Sequence, residues 1–151
     1  VLDFETTGLD TRNDRIIEIG AVRLSSGQVT DSLSVLVNPE QILKPKITEI
    51  TGITDQMLRD QPVITRALPQ LLEFIGDCPI AAHNADFDYN ILQSELRRQG
   101  LPPLEDDTAA GDFDAATAQL RSEAAAPHVE PEADPADRPR RFANLMHEFR
   151  I

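Results

Sequence analysis

The sequence predicts an α/β fold, a mixed sheet flanked by helices. Three observations point there. Two alternating apolar runs stand early in the chain with a turn between them. Apolar residues at helical spacing follow from about residue 47 onward. A second short apolar run at 79–82 then leads straight into another helix-period segment.

The chain opens on Val1-Leu2-Asp3-Phe4-Glu5-Thr6-Thr7-Gly8, a short apolar run that reads as a strand. Residues two apart on a strand point to one face, so Asp3 and Glu5 aim at one spot while their hydrophobic neighbours pack the other side. Residues 15–24 (RIIEIGAVRL) are apolar on both alternating faces around Glu18, as in a central strand. Ser25-Ser26-Gly27-Gln28 is a turn, and residues 29–37 alternate, with Val29, Leu33, Val35 and Val37 on one face and Thr30, Ser32 and Ser34 on the other. Together they predict an antiparallel hairpin, ended by Asn38-Pro39. Residues 47–53 and 54–58 read as short helical turns with Gly52 between them and Thr54 as an N-cap. Over 63–75, Ile64, Leu68, Leu71, Leu72 and Ile75 share a helical face, and Pro69 predicts a kink or break. Residues 79–82 fit a buried strand. His83-Asn84-Ala85-Asp86-Phe87-Asp88 then opens a helix to about Gln99, lined inside by Phe87, Ile91, Leu92 and Leu96 and stopped by Gly100.

Residues 109–139 change character, being rich in Ala, Pro and acids, with prolines at 127, 131, 135 and 139. That composition predicts a flexible insertion or linker, at most partly helical near 115–124. Helical spacing resumes with Phe142, Leu145, Met146 and Phe149. The expected division is a core over 1–108, an acidic Pro/Ala-rich insertion or linker over 109–140, and a last helix over 141–151.

The length of 151 residues suits one domain with a real core, and 40% hydrophobic with 26% charged residues is a globular composition. Cys78 is the single cysteine, which excludes an intramolecular disulfide and a cysteine zinc site. No run of about 18 apolar residues or signal peptide is present, so the expectation is no membrane partner and a reducing, cytoplasmic location. The chain has no initiator Met and begins inside its first strand, from which a piece of a longer protein is expected. A net charge of −12 argues against a general nucleic-acid binder. Bound divalent cations would change the local sign at a carboxylate site, and residues 101–141 carry about half of the net charge.

Neighbouring carboxylates disfavour one another unless cations sit between them, so the Asp3/Glu5 pair in an apolar strand reads as a divalent-metal site. Asp88 is the second acidic centre. It follows a short strand and lies in the first turn of a helix. If that strand lies beside the first, Asp88 meets Asp3 and Glu5 at one end of the sheet. Oxygen-only ligands favour Mg2+ or Mn2+, and two such ions clamp a phosphodiester between attacking water and leaving oxygen.

Asp3-Phe4-Glu5-Thr6-Thr7-Gly8 together with His83-Asn84-Ala85-x-Phe87-Asp88 resembles the first two motifs of the DEDD (DnaQ-like) 3′→5′ exonucleases. The nearest likeness is to the proofreading exonucleases of bacterial replicative DNA polymerases, as an epsilon-type subunit or within a polymerase III chain. Arg15-Ile16-Ile17-Glu18-Ile19-Gly20-Ala21-Val22 and Ile50-Thr51-Gly52-Ile53-Thr54 resemble that group too. The likeness covers residues 1–104 well and resumes weakly at 141–151. It implies a ribonuclease H-like fold, a five-stranded mixed sheet incomplete at both termini, with three antiparallel strands followed by parallel ones. It implies two-metal hydrolysis of DNA 3′ ends in proofreading or repair, with Mg2+ or Mn2+ as cofactor. Asp3 would bridge both ions, Glu5 would bind the one that carries the attacking water, and Asp88 the one on the leaving-group side. Thr6, Thr7, Gly8 and nearby backbone would contact the terminal nucleotide, His83 and Asn84 would shape the pocket wall, and Phe87 would lie between pocket and core. Implied partners are single-stranded DNA 3′ ends and a DNA polymerase or helicase, in cis or in trans.

The family's third motif, H-x-A-x-x-D, supplies a general base and a fourth carboxylate. No such string follows residue 88. His128 is interrupted by prolines, and His147 stands four residues from the end. Truncation before that motif is expected, and with it very weak or no turnover, because general-base catalysis contributes about 10²–10⁴-fold. Two other functions fit the same residues: an RNA-trimming exonuclease of this fold, and a catalytically dead interaction module with the acidic insertion as its partner surface.

Overall fold

Strand alternation builds an antiparallel sheet from β1 (Leu2–Thr6), β2 (Ile16–Ser25) and β3 (Gln28–Leu36), in that spatial order. The structure is a computed structural model that describes residues 1–104. The expected linker over 109–140, the helix over 141–151 and the positions of His128 and His147 lie outside the described residues. Leu2 pairs with Ala21 and Phe4 with Ile19, and these continue to Leu33 and Val35 on β3. Side chains directly opposite in a sheet share a face. This row therefore forms one apolar surface. It packs with Ala67, Leu68 and Leu71 of α3 (Ile64–Ile75) and with Ile91, Leu92 and Leu96 of α4 (Ala85–Arg98) in the main core.

The opposite face of β1 and β2 carries Asp3, Glu5, Glu18, Gly20 and Val22. There Val22 packs with Val1, Leu24 and Val29. Val29 is a correction to the alternation expected for β3. Arg23 pairs with Asp31 but Leu24 pairs with Val29, so Thr30 is an extra residue on the strand. Such a bulge reverses the side-chain parity beyond it, which moves Val29 off the face of Leu33 and Val35. A second bulge lies beside the acids. Glu5 pairs with Glu18 and Thr6 with Ile16, which leaves Ile17 over. Ile17 instead joins Leu43, Ile53 and Leu58 in a separate cluster that anchors the two short helices.

Those helices are α1 (Pro45–Thr51) and α2 (Asp55–Leu58). Gly52 ends α1 at φ 77°, where only glycine is unstrained, and Thr54 caps α2 by accepting from the Met57 N–H. The sheet-side segment 38–43 is held down by the Asp55 carboxylate, whose Oδ1 accepts from the Leu43 N–H at 2.9 Å.

The break expected at Pro69 does not occur, since α3 runs without interruption from Ile64 to Ile75. Pro69 and Thr65 are both exposed. Proline at 69 leaves the Thr65 carbonyl without a helical donor, and the buried stripe of Ala67, Leu68, Leu71 and Ile75 holds the turn in place. Residues 79–82 also differ from expectation. Ile80 and Ala82 are isolated bridge positions, Ala82 pairing in parallel with Leu2, instead of parts of a named strand, so the sheet has three strands among the described residues. Pro79 lacks a donor for a longer ladder, and the next donor along β1 is taken by a side chain.

Candidate active site

On β1 the backbone N–H groups alternate between β2 and the open edge. The Leu2 N–H points outward and donates to the Ala81 carbonyl at 2.8 Å. The next outward donor, Phe4 N–H, donates to Asp88 Oδ1 at 3.2 Å in a buried contact. A carboxylate thus occupies the ladder position that a longer neighbouring strand would have filled. Phe4 is the residue between Asp3 and Glu5, so this one bond brings the third acid to the strand that carries the other two. Asp88 is buried and sits in the first turn of α4, where a negative charge is favoured by the helix dipole.

Asp3 and Glu5 lie on the sheet face away from the main core, and Glu5 is buried. Directly across from Glu5 on β2 is Glu18, which is 3% exposed, with no hydrogen-bond donor at either carboxylate oxygen. Burial, then the nearby Glu5, then Asp3 push the Glu18 carboxyl up to about 7. Among the described residues no three His, Cys, Asp or Glu side chains stand as a formed ion cage. The elements bring the acids to one end of the sheet, whereas the carboxyls do not close on a common point. Mutual repulsion of like charges opposes that closure. The donor set nevertheless fits a hard divalent cation. It is all oxygen, it is largely buried, and it contains an orphaned carboxyl facing two further acids.

The loop after Glu5 is built by its own polar groups. Thr7 exchanges backbone and side-chain bonds with Arg15, its N–H reaching the Arg15 carbonyl at 2.9 Å and its Oγ1 accepting from the Arg15 N–H at 3.0 Å. The Thr7 hydroxyl donates to Asp14 Oδ1, and Asp14 Oδ2 accepts from the Asp10 N–H, both at 2.9 Å. Thr6 Oγ1 donates to the Gly8 carbonyl at 2.6 Å. Both threonine hydroxyls are thus engaged in shaping the loop. Gly8 leaves room for the Asp14 carboxylate, which a Cβ at that position would force to move. The Asp10 carboxyl is held below its ordinary range by the Asn13 side chain and the Arg12 N–H.

A buried ion pair ties this loop to α4. Glu95 is fully buried and meets Arg98 at 2.7 Å and Arg15 at 3.5 Å, while Arg98 also donates to the Arg12 carbonyl. The helix that positions Asp88 and the loop that follows Glu5 are therefore fixed to each other. His83 and Asn84 are exposed at the start of α4, and Phe87 is half-buried against the main core. Three residues of this region escaped the sequence reading: Glu18, Asp14 and Glu95. Glu18 carried a signal, as the single acid within an apolar central strand. Glu95 carried a weaker one, three residues before Arg98. Among the described residues no helix is long and apolar enough to cross a membrane.

Comparison with known proteins follows the same line. The family described as Exonuclease (RNase_T) matches residues 1–151. PolC-type DNA polymerase III of Clostridium perfringens is 46% identical over 100 residues, covering 66% of this chain and 7% of that protein. The Thermotoga maritima protein of the same description is 48% identical over 98 residues, 65% of this chain and 7% of its own length. The chain thus spans about 7% of the length of these relatives. Among solved structures, the metal-free E. coli exonuclease I–single-stranded DNA complex superposes with TM-score 0.66 at 23% identity, over 82% of this chain and 30% of that one. Exonuclease X in complex with 5′-overhanging duplex DNA gives 0.54 at 26% identity, over 89% and 76%.

Proposed function

This chain belongs to the exonuclease family, and on that premise we propose that it is a 3′→5′ exonuclease domain acting on single-stranded DNA ends, with Asp3, Glu5 and Asp88 holding Mg2+ or Mn2+. The observation that carries the site is the bond from the Phe4 N–H to Asp88 Oδ1, which sets three acids around one residue of β1. When bound there, divalent cations supply Lewis acidity toward an attacking water and charge for the departing oxygen. The chain's own residues do the rest. The carboxylates fix the cation positions, and burial of Glu5, Glu18 and Asp88 excludes competing water. The braced loop at Thr6, Thr7 and Gly8 presents a rigid edge to the terminal nucleotide. His83 and Asn84 form the exposed rim at the start of α4. The resemblance to PolC-type polymerases supports a proofreading or repair setting in the cytoplasm, with a DNA polymerase in cis or in trans.

Because no H-x-A-x-x-D string follows Asp88 in these 151 residues, turnover by this chain is expected to fall about 10²–10⁴-fold below that of a relative with a positioned general base. Binding is therefore the direct test. A fluorescent single-stranded DNA with a free 3′ hydroxyl should bind more tightly when Mn2+ is added, and Asp3→Ala should remove that gain. Binding indifferent to both Mn2+ and Asp3→Ala overturns the proposal. A matched RNA oligonucleotide that binds as well as DNA would move the reading to an RNA-trimming enzyme, since the ribose 2′-hydroxyl is the feature such a pocket must accept or refuse.

A further inference from the structure

Glu18 lies in the middle of β2, with buried Ile17 and Ile19 as its chain neighbours. It faces Glu5 across the strand pair and shares its face with Asp3. Side chains so placed have Cβ atoms about 4.5–5.5 Å apart. An acid opposite an acid weakens a sheet, and a buried carboxyl without a hydrogen-bond donor weakens it further. Neither oxygen of Glu18 has a donor, so no structural bond accounts for the residue, and an aliphatic side chain would serve the strand better. A cation bound on that face offsets both penalties together.

We propose that Glu18 is a positioning residue of the cation site: its carboxyl, set opposite Glu5 on the neighbouring strand, holds Glu5 toward a divalent cation and strengthens that cation's binding. The inference rests on the reading of Asp3, Glu5 and Asp88 as the cation ligands. It adds a fourth acid that acts through Glu5, one strand further into the sheet.

The test is a Mn2+ titration of the 151-residue chain, with free Mn2+ read by its electron paramagnetic resonance signal. Glu18→Gln, Glu18→Asp and Asp3→Asn are compared with the unsubstituted chain, and circular dichroism and thermal melts are run without metal. Glu18→Gln should weaken Mn2+ binding about tenfold or more, as loss of a group behind a metal ligand does, while the metal-free melting temperature holds or rises. Glu18→Asp keeps the charge and should recover part of the affinity. Should Glu18→Gln fail to fold, a folded Glu18→Asp with affinity below that of the unsubstituted chain supports the proposal, and one with unchanged affinity overturns it. Mn2+ bound equally by Glu18→Gln and the unsubstituted chain, with Asp3→Asn impaired, overturns the role of Glu18 alone. Equal binding by Asp3→Asn and the unsubstituted chain removes the parent reading as well.

Discussion

Single residues in this protein show a conflict between folding and site chemistry. Glu18 is the clearest case. Its carboxyl is pushed from 4.5 up to about 7 by burial, Glu5 and Asp3. Between those values the folded chain keeps the proton and the unfolded chain releases it. The metal-free protein therefore loses stability as pH rises from 4.5 to about 7, by up to about 3 kcal/mol from this group. Urea unfolding across that range should show the slope in the unsubstituted chain and a flatter one in Glu18→Gln. Parallel slopes would mean that Glu18 does not titrate as its surroundings demand. Gly8 is a steric counterpart. Gly8→Ala drives a methyl group into the Asp14 carboxylate, which must give up its bonds to Thr7 and Asp10. A loss of about 1–3 kcal/mol in denaturant unfolding is expected.

At the scale of elements, α4 and the loop after β1 behave as one unit because Glu95 holds Arg15 and Arg98 together. The Glu95 side chain is 1% exposed, whereas Arg98 and Arg15 are 20% and 39% exposed. Replacing Glu95 by Ala leaves two arginines that can turn to water, so the cost should be about 1–3 kcal/mol, below the roughly 3–5 kcal/mol of a fully buried broken pair. Hydrogen exchange should quicken in both 7–15 and α4. Faster exchange confined to α4 would show that the tie is not what couples them. Helix α3 depends on packing more than on local preference. Leu68 and Leu71 are fully buried, so Leu71→Ala is expected to cost about 2.7–5 kcal/mol. The exposed Pro69 is the opposite case, a residue that the same packing overrides.

Over the whole molecule, charge dominates. A chain of net −12 that gathers acids on one sheet face should be stabilised by whatever neutralises them there. Millimolar Mg2+ or Mn2+ should raise the melting temperature, since a ligand bound only by the folded state adds about 2.7 kcal/mol at a hundred times its dissociation constant. The rise should vanish in Asp88→Asn. The same charge limits contact with phosphates, so the salt dependence of DNA binding should be shallower than that of a protein contacting six or more phosphates. The amino-acid order alone was enough for the hairpin, the helix faces, the shared strand face of Asp3 and Glu5 and the place of Asp88 in the first turn of a helix, because side-chain period and motif spacing are local properties. Tertiary structure alone decided the rest. It set the bulge that turns Val29 over, the intact α3 through Pro69, and the reduction of 79–82 to isolated bridge positions, with Asp88 on the β1 donor after Leu2. It also placed Glu18 opposite Glu5. Each of these depends on which strand lies beside which and in what register, and register is fixed by packing between residues far apart in the chain.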